Sequence, residues 1–320
     1  MDIRPFRVDV PDAVLGDLRD RLGRARLLPD SPRHMRSGMT AAYLAELVAS
    51  WRDFDWRARE RWLNAHPQYT VELDGARVHF LHRRADAHDA PALLVMHGWP
   101  HTFAMQLDFA DLLPDFHVVV PSFPGFAFSS PYAQAEMSER QLAATMHRLM
   151  TEVLGYERYV TYGEDVSANV NDLLASAHPE TVQAIITTHA HFGTPEERRA
   201  HDEPEVTAFF ARLARDHESE GAYGHVQATR PDTLAAALND SPAGLVAWLV
   251  EKFVEWGDAD TDVPAAVFIQ RHEADYPEVL ARDFYRDLRV FERLDRGGHF
   301  TVAERPHEMA ERVRAFVATL

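Results

Sequence analysis

The spacing of apolar residues changes near residue 90 of the 320-residue chain. Before that point, apolar positions recur at helical spacing in two stretches. Two short alternating runs, 69–73 and 77–82, then flank the pair Asp74-Gly75, which is typical of a tight hairpin turn. We therefore predict an N-terminal meander domain, residues 1–90, built of helices and one β-hairpin.

From residue 91 onward, short apolar runs alternate with helical patterns, which is typical of a parallel sheet covered on both faces. Ser138 and Gln141 have capping-box spacing at the start of one helix, and Pro306 suits the first turn of another. Residues 192–262 have helical spacing without a strand signal, so we expect an inserted cap there. The predicted core strands are 92–96, 117–121, 159–162, 184–188, 265–269 and 290–294.

These patterns place the chain in the α/β class, with a mostly parallel sheet and helices on both faces. The sheet is expected in two parts, residues 91–191 and 263–320. The helical cap, residues 192–262, is inserted between them.

Composition narrows the range of partners. Hydrophobic residues at 46% and charged residues at 26% indicate a folded globular protein. The net charge of -17 disfavours nucleic acids and anionic membranes, which the chain would repel, so a neutral small molecule fits better. Without cysteine there is no thiol nucleophile, and without a long apolar run we expect no membrane span and a cytoplasmic protein. The oligomeric state is left open.

Gly163, Asp165 and Ser167 stand where a predicted strand gives way to a helix. Small residues two positions before and after Asp165 match a nucleophile elbow, in which the central side chain projects over the sheet edge. A carboxylate held there can attack carbon and form an ester. The alternative is that Gly and Asp simply mark the start of the helix.

His97-Gly98-Trp99-Pro100 follows the first core strand directly. A loop at this position supplies a backbone N–H to an oxyanion hole, which points to Trp99, with Val166 as the second donor.

Gly297-Gly298-His299 follows the last predicted strand, where a general base belongs. A surface histidine is the alternative reading of His299, since the chain contains 18 His residues.

Several separated motifs together resemble the microsomal type of epoxide hydrolase, an α/β-hydrolase with its own N-terminal domain. The resemblance covers nearly the whole chain. It rests on Ile3-Arg4-Pro5-Phe6, Phe54-Asp55-Trp56-Arg57, His97-Gly98-Trp99-Pro100, Pro121-Ser122-Phe123-Pro124-Gly125-Phe126, Asp165, Tyr223, Gln227 to Leu234, Asp240 to Leu245, Glu251-Lys252-Phe253 and Gly297-Gly298-His299-Phe300.

The resemblance implies that Asp165 attacks an epoxide carbon and that His299 activates water to hydrolyse the ester. Tyr223 would donate a proton to the epoxide oxygen, as a neutral phenol can. The substrates would be a small-molecule epoxide and water, with no metal or organic cofactor. The pocket would include His97, Pro100, Phe126 and His191.

Three departures from the family pattern modify this expectation. A second cap tyrosine is missing after Lys252, so either the leaving group is activated more weakly or a residue such as Tyr132 or His191 substitutes for it. The acid that orients His299 is predicted at Glu273, with Asp275 as the alternative.

The third departure lies beside Asp165, where Val166 replaces the family's usual Trp and Ser167 replaces a Gly. A smaller side chain at Val166 predicts a larger pocket and a bulky substrate, such as a secondary metabolite. Two other functions are alternatives to epoxide hydrolysis. A haloalkane dehalogenase would bind halide through that missing Trp, and a degenerate or repurposed relative would bind a ligand or run another biosynthetic reaction in the same pocket.

Overall fold

The computed structural model describes residues 2–31, 39–134, 137–188, 194–256, 276–285 and 287–320. Within those ranges, seven strands form one sheet in the order β1-β2-β3-β5-β4-β6-β7. The strands are β1 (Arg4–Phe6), β2 (Gln68–Leu73), β3 (Ala76–Arg83), β4 (Ala92–Met96), β5 (His117–Pro121), β6 (Tyr159–Gly163) and β7 (Val182–Thr187).

The four strands β5, β4, β6 and β7 pair in parallel, as the alternating pattern predicts. Every residue of β4, β5 and β6 is buried, because helices cover both faces of a parallel sheet. Parallel strands end at the same edge, so the loops that follow β4 and β6 meet there. This is the edge that carries His97 to Pro100 and Asp165.

The predicted hairpin is confirmed, with β2 and β3 antiparallel and Leu73 opposite Ala76. Its turn residues Asp74 and Gly75 both have positive φ, 53° and 78°, as a type I′ turn requires. The hairpin also continues the core sheet, since β3 pairs antiparallel with β5 in the register Phe80 to Pro121.

The described ranges contain fourteen α-helical segments. Thr40 caps α2 by accepting a hydrogen bond from the N–H of Tyr43, and Ser138 caps α5 through the N–H of Gln141. A π-helical turn, Leu149–Val153, extends α5, and a 3-10 turn, Phe103–Gln106, precedes α4. The helices are α1 (Asp12–Gly23), α2 (Ala41–Arg52), α3 (Trp56–Leu63), α4 (Leu107–Asp111), α5 (Glu139–Arg148), α6 (Val166–Ala177), α7 (Pro195–Ala200), α8 (Pro204–Glu220), α9 (Ala222–Thr229), α10 (Pro231–Asp240), α11 (Pro242–Trp256), α12 (Glu278–Phe284), α13 (Thr301–Glu304) and α14 (Pro306–Val317).

The strand predicted at 290–294 is not formed, and this expectation was wrong. Residues 288–294 have no ladder, and Val290 is 56% exposed instead of facing a core. Two side-chain contacts hold the segment against the C-terminus. Arg312 of α14 donates to Glu292, and Arg289 donates to the carbonyl of Thr319, which follows α14. The neighbouring strand predicted at 265–269 lies outside the described residues.

The chain folds into two compact units. The first contains the sheet and comprises residues 1–8, 58–191 and 284–320. The second is helical in its described part and comprises 9–57 and 192–283. Its apolar centre combines Leu22 of α1, Val48 of α2 and Ala243 of α11. The predicted N-terminal domain is therefore divided between the units, because its hairpin pairs with the core sheet while α1 and α2 pack with the cap helix α11.

No helix of the described ranges is long and apolar enough to cross a membrane. In the same part of the chain, no group of three His, Asp or Glu side chains is arranged to hold a metal ion.

Candidate active site

Asp165 stands at the sharp turn between β6 and α6. Its backbone has φ 54° and ψ -134°, a conformation that is costly for a residue other than glycine and that must be held by its surroundings. A Cβ on Gly163 would overlap the backbone of Ser167, so the turn requires glycine there. The Ser167 hydroxyl contacts the carbonyl oxygens of Glu164 and Met96 and fastens the turn to β4.

Two backbone N–H groups bind the Asp165 carboxylate. The N–H of Trp99 donates to Oδ1 over 3.0 Å, and the N–H of Val166 donates to the same carboxylate. A Cβ on Gly98 would overlap the Asp165 side chain, so glycine lets the loop after β4 approach this closely. The residues predicted for the oxyanion hole thus lie together around one carboxylate.

The imidazole of His299 completes this cluster. Its Nε2 lies 3.3 Å from Oδ2 of Asp165, and the two side chains remain 21% and 25% exposed, so a small molecule can reach both. Glu304 holds the loop of His299, since its carboxylate accepts from the N–H groups of Gly298 at 2.6 Å and Phe300 at 3.2 Å.

Charge in this cluster favours an ionised Asp165. Burial alone would raise the pKa of Asp165, but the hydrogen bond and charge of His299, with the N–H groups of Trp99 and Val166, hold that pKa well below its usual range. Oδ1 accepts from the N–H of Trp99, and Oδ2 is the oxygen that contacts His299. A carboxylate in this state can act as a nucleophile.

Comparison with known proteins adds to this geometry. Residues 3–105 match the family model described as the epoxide hydrolase N terminus, and residues 91–215 match that of the α/β-hydrolase fold. A protein of Stigmatella aurantiaca named "Putative epoxide hydrolase" is 32% identical, with 98% of this chain and 84% of that protein covered. The chain belongs to the epoxide hydrolase family. It is an enzyme of that type, built on the α/β-hydrolase fold.

Three further proteins match this epoxide hydrolase across nearly the whole chain. Epoxide hydrolase 1 of Sus scrofa is 26% identical, with 99% of this chain and 89% of the relative covered. An enantioselective mutant of the Aspergillus niger epoxide hydrolase superposes with a TM-score of 0.86 at 25% identity, covering 100% and 97% of the two chains. The juvenile hormone epoxide hydrolase of Bombyx mori has the same fold, with a TM-score of 0.85 at 21% identity, covering 99% and 94%.

The predicted pocket residues of this epoxide hydrolase fall into three groups. His97 is fully buried, its Nδ1 donating to the carbonyl of Gly98 and its Nε2 accepting from the N–H of Phe123, so it supports the loop and does not line a pocket as predicted. Pro100 is buried too, and Phe126 is half-buried with its ring 5.1 Å from that of His97. His191 lies outside the described residues.

The remaining predicted polar residues are the acid for His299 and the second proton donor. Glu273 and the alternative Asp275 lie outside the described residues. Tyr132, suggested as a second proton donor, is directed into the core, where its hydroxyl donates to Thr145 over 2.9 Å. Burial raises the pKa of Tyr132, which suits a structural phenol.

Tyr223 lies on α9 in the helical unit and is half-buried. Its ring centroid is 5.0 Å from that of Trp256 and 5.4 Å from Nζ of Lys252. Lys252, the only lysine of the chain, is buried among the carboxylates of Glu220, Glu251 and Glu255, at 2.7 to 3.2 Å. The Tyr223 ring is thus packed beside a paired cation.

Three residues near Asp165 were missed by the sequence reasoning. They are His101, which accepts from the N–H of Gly98 over 3.0 Å; Glu164, which is fully buried beside Asp165; and Glu304, described above. For His101 and Glu164 a signal was available, since Glu164 stands within the elbow motif and His101 directly follows the loop motif that ends at Pro100. A carboxylate directly before a nucleophile elbow is such a signal.

Proposed function

We propose that this epoxide hydrolase opens an epoxide to a vicinal diol through an ester on Asp165. The observation that supports it is the contact between Oδ2 of Asp165 and Nε2 of His299, with Oδ1 held by the N–H of Trp99. The same cluster contains a nucleophile, a base and two oxyanion donors, which are the parts that ester formation and hydrolysis need.

In the first step, Oδ2 of Asp165 attacks an epoxide carbon and the carbon–oxygen bond of the ring breaks. The oxygen that leaves the carbon takes a proton from a phenol, for which Tyr223 is the proposed donor. The product of this step is a hydroxyalkyl ester of Asp165. Attack is favoured because the pKa of Asp165 is held well below its usual range, which keeps the carboxylate ionised.

In the second step, His299 takes a proton from water while the water oxygen attacks Cγ of the ester. The negative charge that forms on Oδ1 is stabilised by the N–H groups of Trp99 and Val166. The tetrahedral intermediate then expels the diol oxygen, which receives the proton from His299. One Asp165 oxygen ends in the diol and one water oxygen remains on Asp165. The second proton of that water leaves the Asp165 carboxyl group and restores the phenol that gave its proton in the first step.

The substrate class we propose is a bulky neutral epoxide, such as one from secondary metabolism. Val166 is half-buried beside Asp165, where it packs against the core cluster, and its side chain is smaller than the Trp usual at this position in the family. The alignment with the S. aurantiaca protein runs over 373 positions against the 320 residues of this chain, so that relative holds residues that this one lacks. A shortened cap is consistent with this difference.

Trapping the ester tests the proposal. The His299→Gln variant should form a covalent adduct on Asp165 with styrene oxide or trans-stilbene oxide, and should fail to release diol. Intact-mass analysis followed by peptide mapping measures the adduct and its position.

Asp165→Asn is the matched control, and it should form no adduct. Single turnover of the wild type in ¹⁸O-labelled water provides an independent readout, because the label should enter Asp165 before it enters the diol. If the wild type yields diol with label only in the diol, and His299→Gln forms no adduct, water attacks the epoxide directly and the ester mechanism is wrong.

A further inference from the structure

Glu164 is a buried carboxylate next to the nucleophile, and the two-step reaction as described does not use it. It is fully buried, whereas Asp165 beside it is a quarter exposed. Its Oε1 accepts from the hydroxyl of Tyr162 over 2.6 Å and from the N–H of Val302 over 2.9 Å. Because Val302 stands three residues after His299, this side chain links the elbow to the loop of the base.

The other oxygen of Glu164 is differently placed. Its Oε2 accepts no hydrogen bond from the described residues. The nearest ionisable group is Nδ1 of His101, at 4.0 Å. Nε2 of His101 accepts from the N–H of Gly98, so the neutral ring carries its proton on Nδ1 and presents an N–H toward Glu164.

The rings of His101 and His299 are also neighbours, with centroids 6.0 Å apart. His101 is only 2% exposed, and burial with the charge of His299 holds its pKa well below the usual range, so His101 stays neutral. A neutral ring therefore lies between two groups that can carry opposite charges, Glu164 and protonated His299. Little water screens that interaction.

We propose that Glu164 is a positioning residue of ester hydrolysis, which holds the His299 loop on the elbow and supplies the negative charge that stabilises His299 once it is protonated. This inference rests on the proposed two-step function. It concerns the second step alone, because His299 gains its proton only when water attacks the ester.

The protonation of Glu164 explains why the two steps differ. Burial raises the pKa of Glu164 to about 7, opposed by the hydrogen bonds from Tyr162 and Val302 and by the charge of His299, and reinforced by the negative charge of Asp165. Esterification makes Asp165 neutral and removes that reinforcing charge. The pKa of Glu164 then falls, and the carboxylate ionises in the state in which His299 needs a counter-charge.

The proposed role of Glu164 predicts how the rate of ester hydrolysis depends on pH. The hydrolysis rate constant should fall as pH drops through the pKa of Glu164 in the ester, which lies below its value in the free enzyme. The ionisable groups that face Glu164 are Tyr162, His101, Asp165 and His299, and Glu304 acts on the Tyr162 hydroxyl from α13.

Glu164→Gln separates charge from shape, because an amide oxygen can still accept from Tyr162 and Val302. With styrene oxide in a stopped-flow instrument, we expect ester formation to change by less than about twofold and ester hydrolysis to slow by about 10- to 100-fold. Exposed Glu157→Gln is the matched control and should change neither step. Equal slowing of both steps would mean that Glu164 only holds the loop, and no slowing would mean that it has no role; either result overturns the proposal.

Tyr162→Phe is the second test, and it does not depend on how well the Glu164 variant folds. Removing the hydroxyl takes away a hydrogen bond that lowers the pKa of Glu164, so the acid limb of hydrolysis should move to higher pH. The shift should be absent when Glu164→Gln is also present. An acid limb that stays in place in Tyr162→Phe contradicts the proposal.

His299→Gln keeps the two proposals apart. Its adduct with styrene oxide supports the ester mechanism, whatever Glu164 does. If that adduct forms and the Glu164 variants behave as the wild type, only the role of Glu164 is wrong. If no adduct forms on Asp165, the ester mechanism fails first and the proposed role of Glu164 fails with it.

Discussion

Nε2 of His299 lies 3.3 Å from Oδ2 of Asp165, while a separate backbone donor holds the other carboxylate oxygen. The two oxygens of one side chain are thereby given different surroundings. Oδ1 accepts from the N–H of Trp99, and Oδ2 contacts the imidazole of His299. In the proposed reaction, this asymmetry lets one carboxylate serve first as a nucleophile and then as the carbonyl of an ester.

Gly98→Ala tests how closely the loop after β4 must approach the nucleophile. A Cβ at Gly98 would overlap the Asp165 side chain, so the carboxylate must turn away from the Trp99 N–H. We expect kcat/KM to fall by about 100-fold, as for a reacting group displaced by about 1 Å. Steady-state diol formation with styrene oxide measures the loss.

Gly16→Ala is the matched control for that substitution. It lies within α1, where a new Cβ meets no atom within 4 Å. Activity should be unchanged, and the free energy of unfolding should rise by about 0.5 to 1 kcal/mol because alanine favours the helix. Full activity in Gly98→Ala would show that the oxyanion loop tolerates a wider separation.

Val166→Trp tests the proposed pocket size. A large ring beside Asp165 should fill the space that Val166 leaves and exclude broad substrates. We expect kcat/KM for trans-stilbene oxide to fall by about tenfold or more relative to that for styrene oxide, on the scale of steric discrimination in apolar pockets. Equal effects on the two probes would contradict a pocket enlarged at Val166.

The sequence predicted the elbow, the oxyanion loop and the histidine loop because each is a local motif. Gly163-x-Asp165-x-Ser167 fixes a turn through residues that are neighbours in the chain. The role of Glu164 depends instead on residues distant in sequence, since Val302 and His101 reach it only after folding. Burial, which makes Glu164 unusual, cannot be inferred from a charged residue in a loop.

In the fold, too, local features were predicted from the sequence and long-range contacts were not. The alternating pattern predicted the hairpin β2–β3 but not that β3 pairs with β5, because a strand pattern does not name its partner. Alternation at 290–294 likewise predicted a strand where none is formed. Ion pairs with α14 hold that exposed segment, and such contacts leave no periodic signal.

Glu273→Gln and Asp275→Asn test the acid predicted to orient His299, in the segment outside the described residues. If Glu273 fixes the tautomer and stabilises the imidazolium, Glu273→Gln should lower turnover by about 100-fold or more, while Asp275→Asn should change it little. Ester hydrolysis should be the step affected. The reverse result would assign the role of the acid to Asp275.

The buried histidines of the sheet predict an acid-sensitive fold. His79 contacts Ser122 and Gln68 through its two ring nitrogens, and burial lowers its pKa to about 3. An unfolded chain binds a proton at His79 below about pH 6.5 and the folded one does not, so the stability conferred by a neutral His79 is lost as pH falls from 6.5 toward 3.

Between pH 6.5 and 5, this difference should reduce the free energy of unfolding by about 1 to 2 kcal/mol. Urea denaturation at the two pH values measures it. His79→Phe cannot titrate and should weaken the pH dependence by that amount, whereas exposed His88→Gln should leave it unchanged. An unaltered slope in His79→Phe would place the acid sensitivity at other histidines, such as His82 and His97.

Tyr223→Phe tests the proposed proton donor of ring opening. The family's second cap tyrosine has no counterpart after Lys252, so Tyr223 should have to protonate the leaving oxygen without help. Loss of one hydrogen bond to a developing alkoxide costs about 3 to 4 kcal/mol, or about 100- to 1000-fold in rate. Ester formation should therefore slow by that factor, with KM for trans-stilbene oxide nearly unchanged.

Tyr43→Phe is the matched control and should keep full activity, because Tyr43 is a half-buried residue of α2. The split between steps makes the result specific, because ester already formed on Asp165 should hydrolyse in Tyr223→Phe at the wild-type rate. A variant that keeps most of its ring-opening rate would show that another group protonates the leaving oxygen. Slowing of hydrolysis alone would instead assign Tyr223 to the second step.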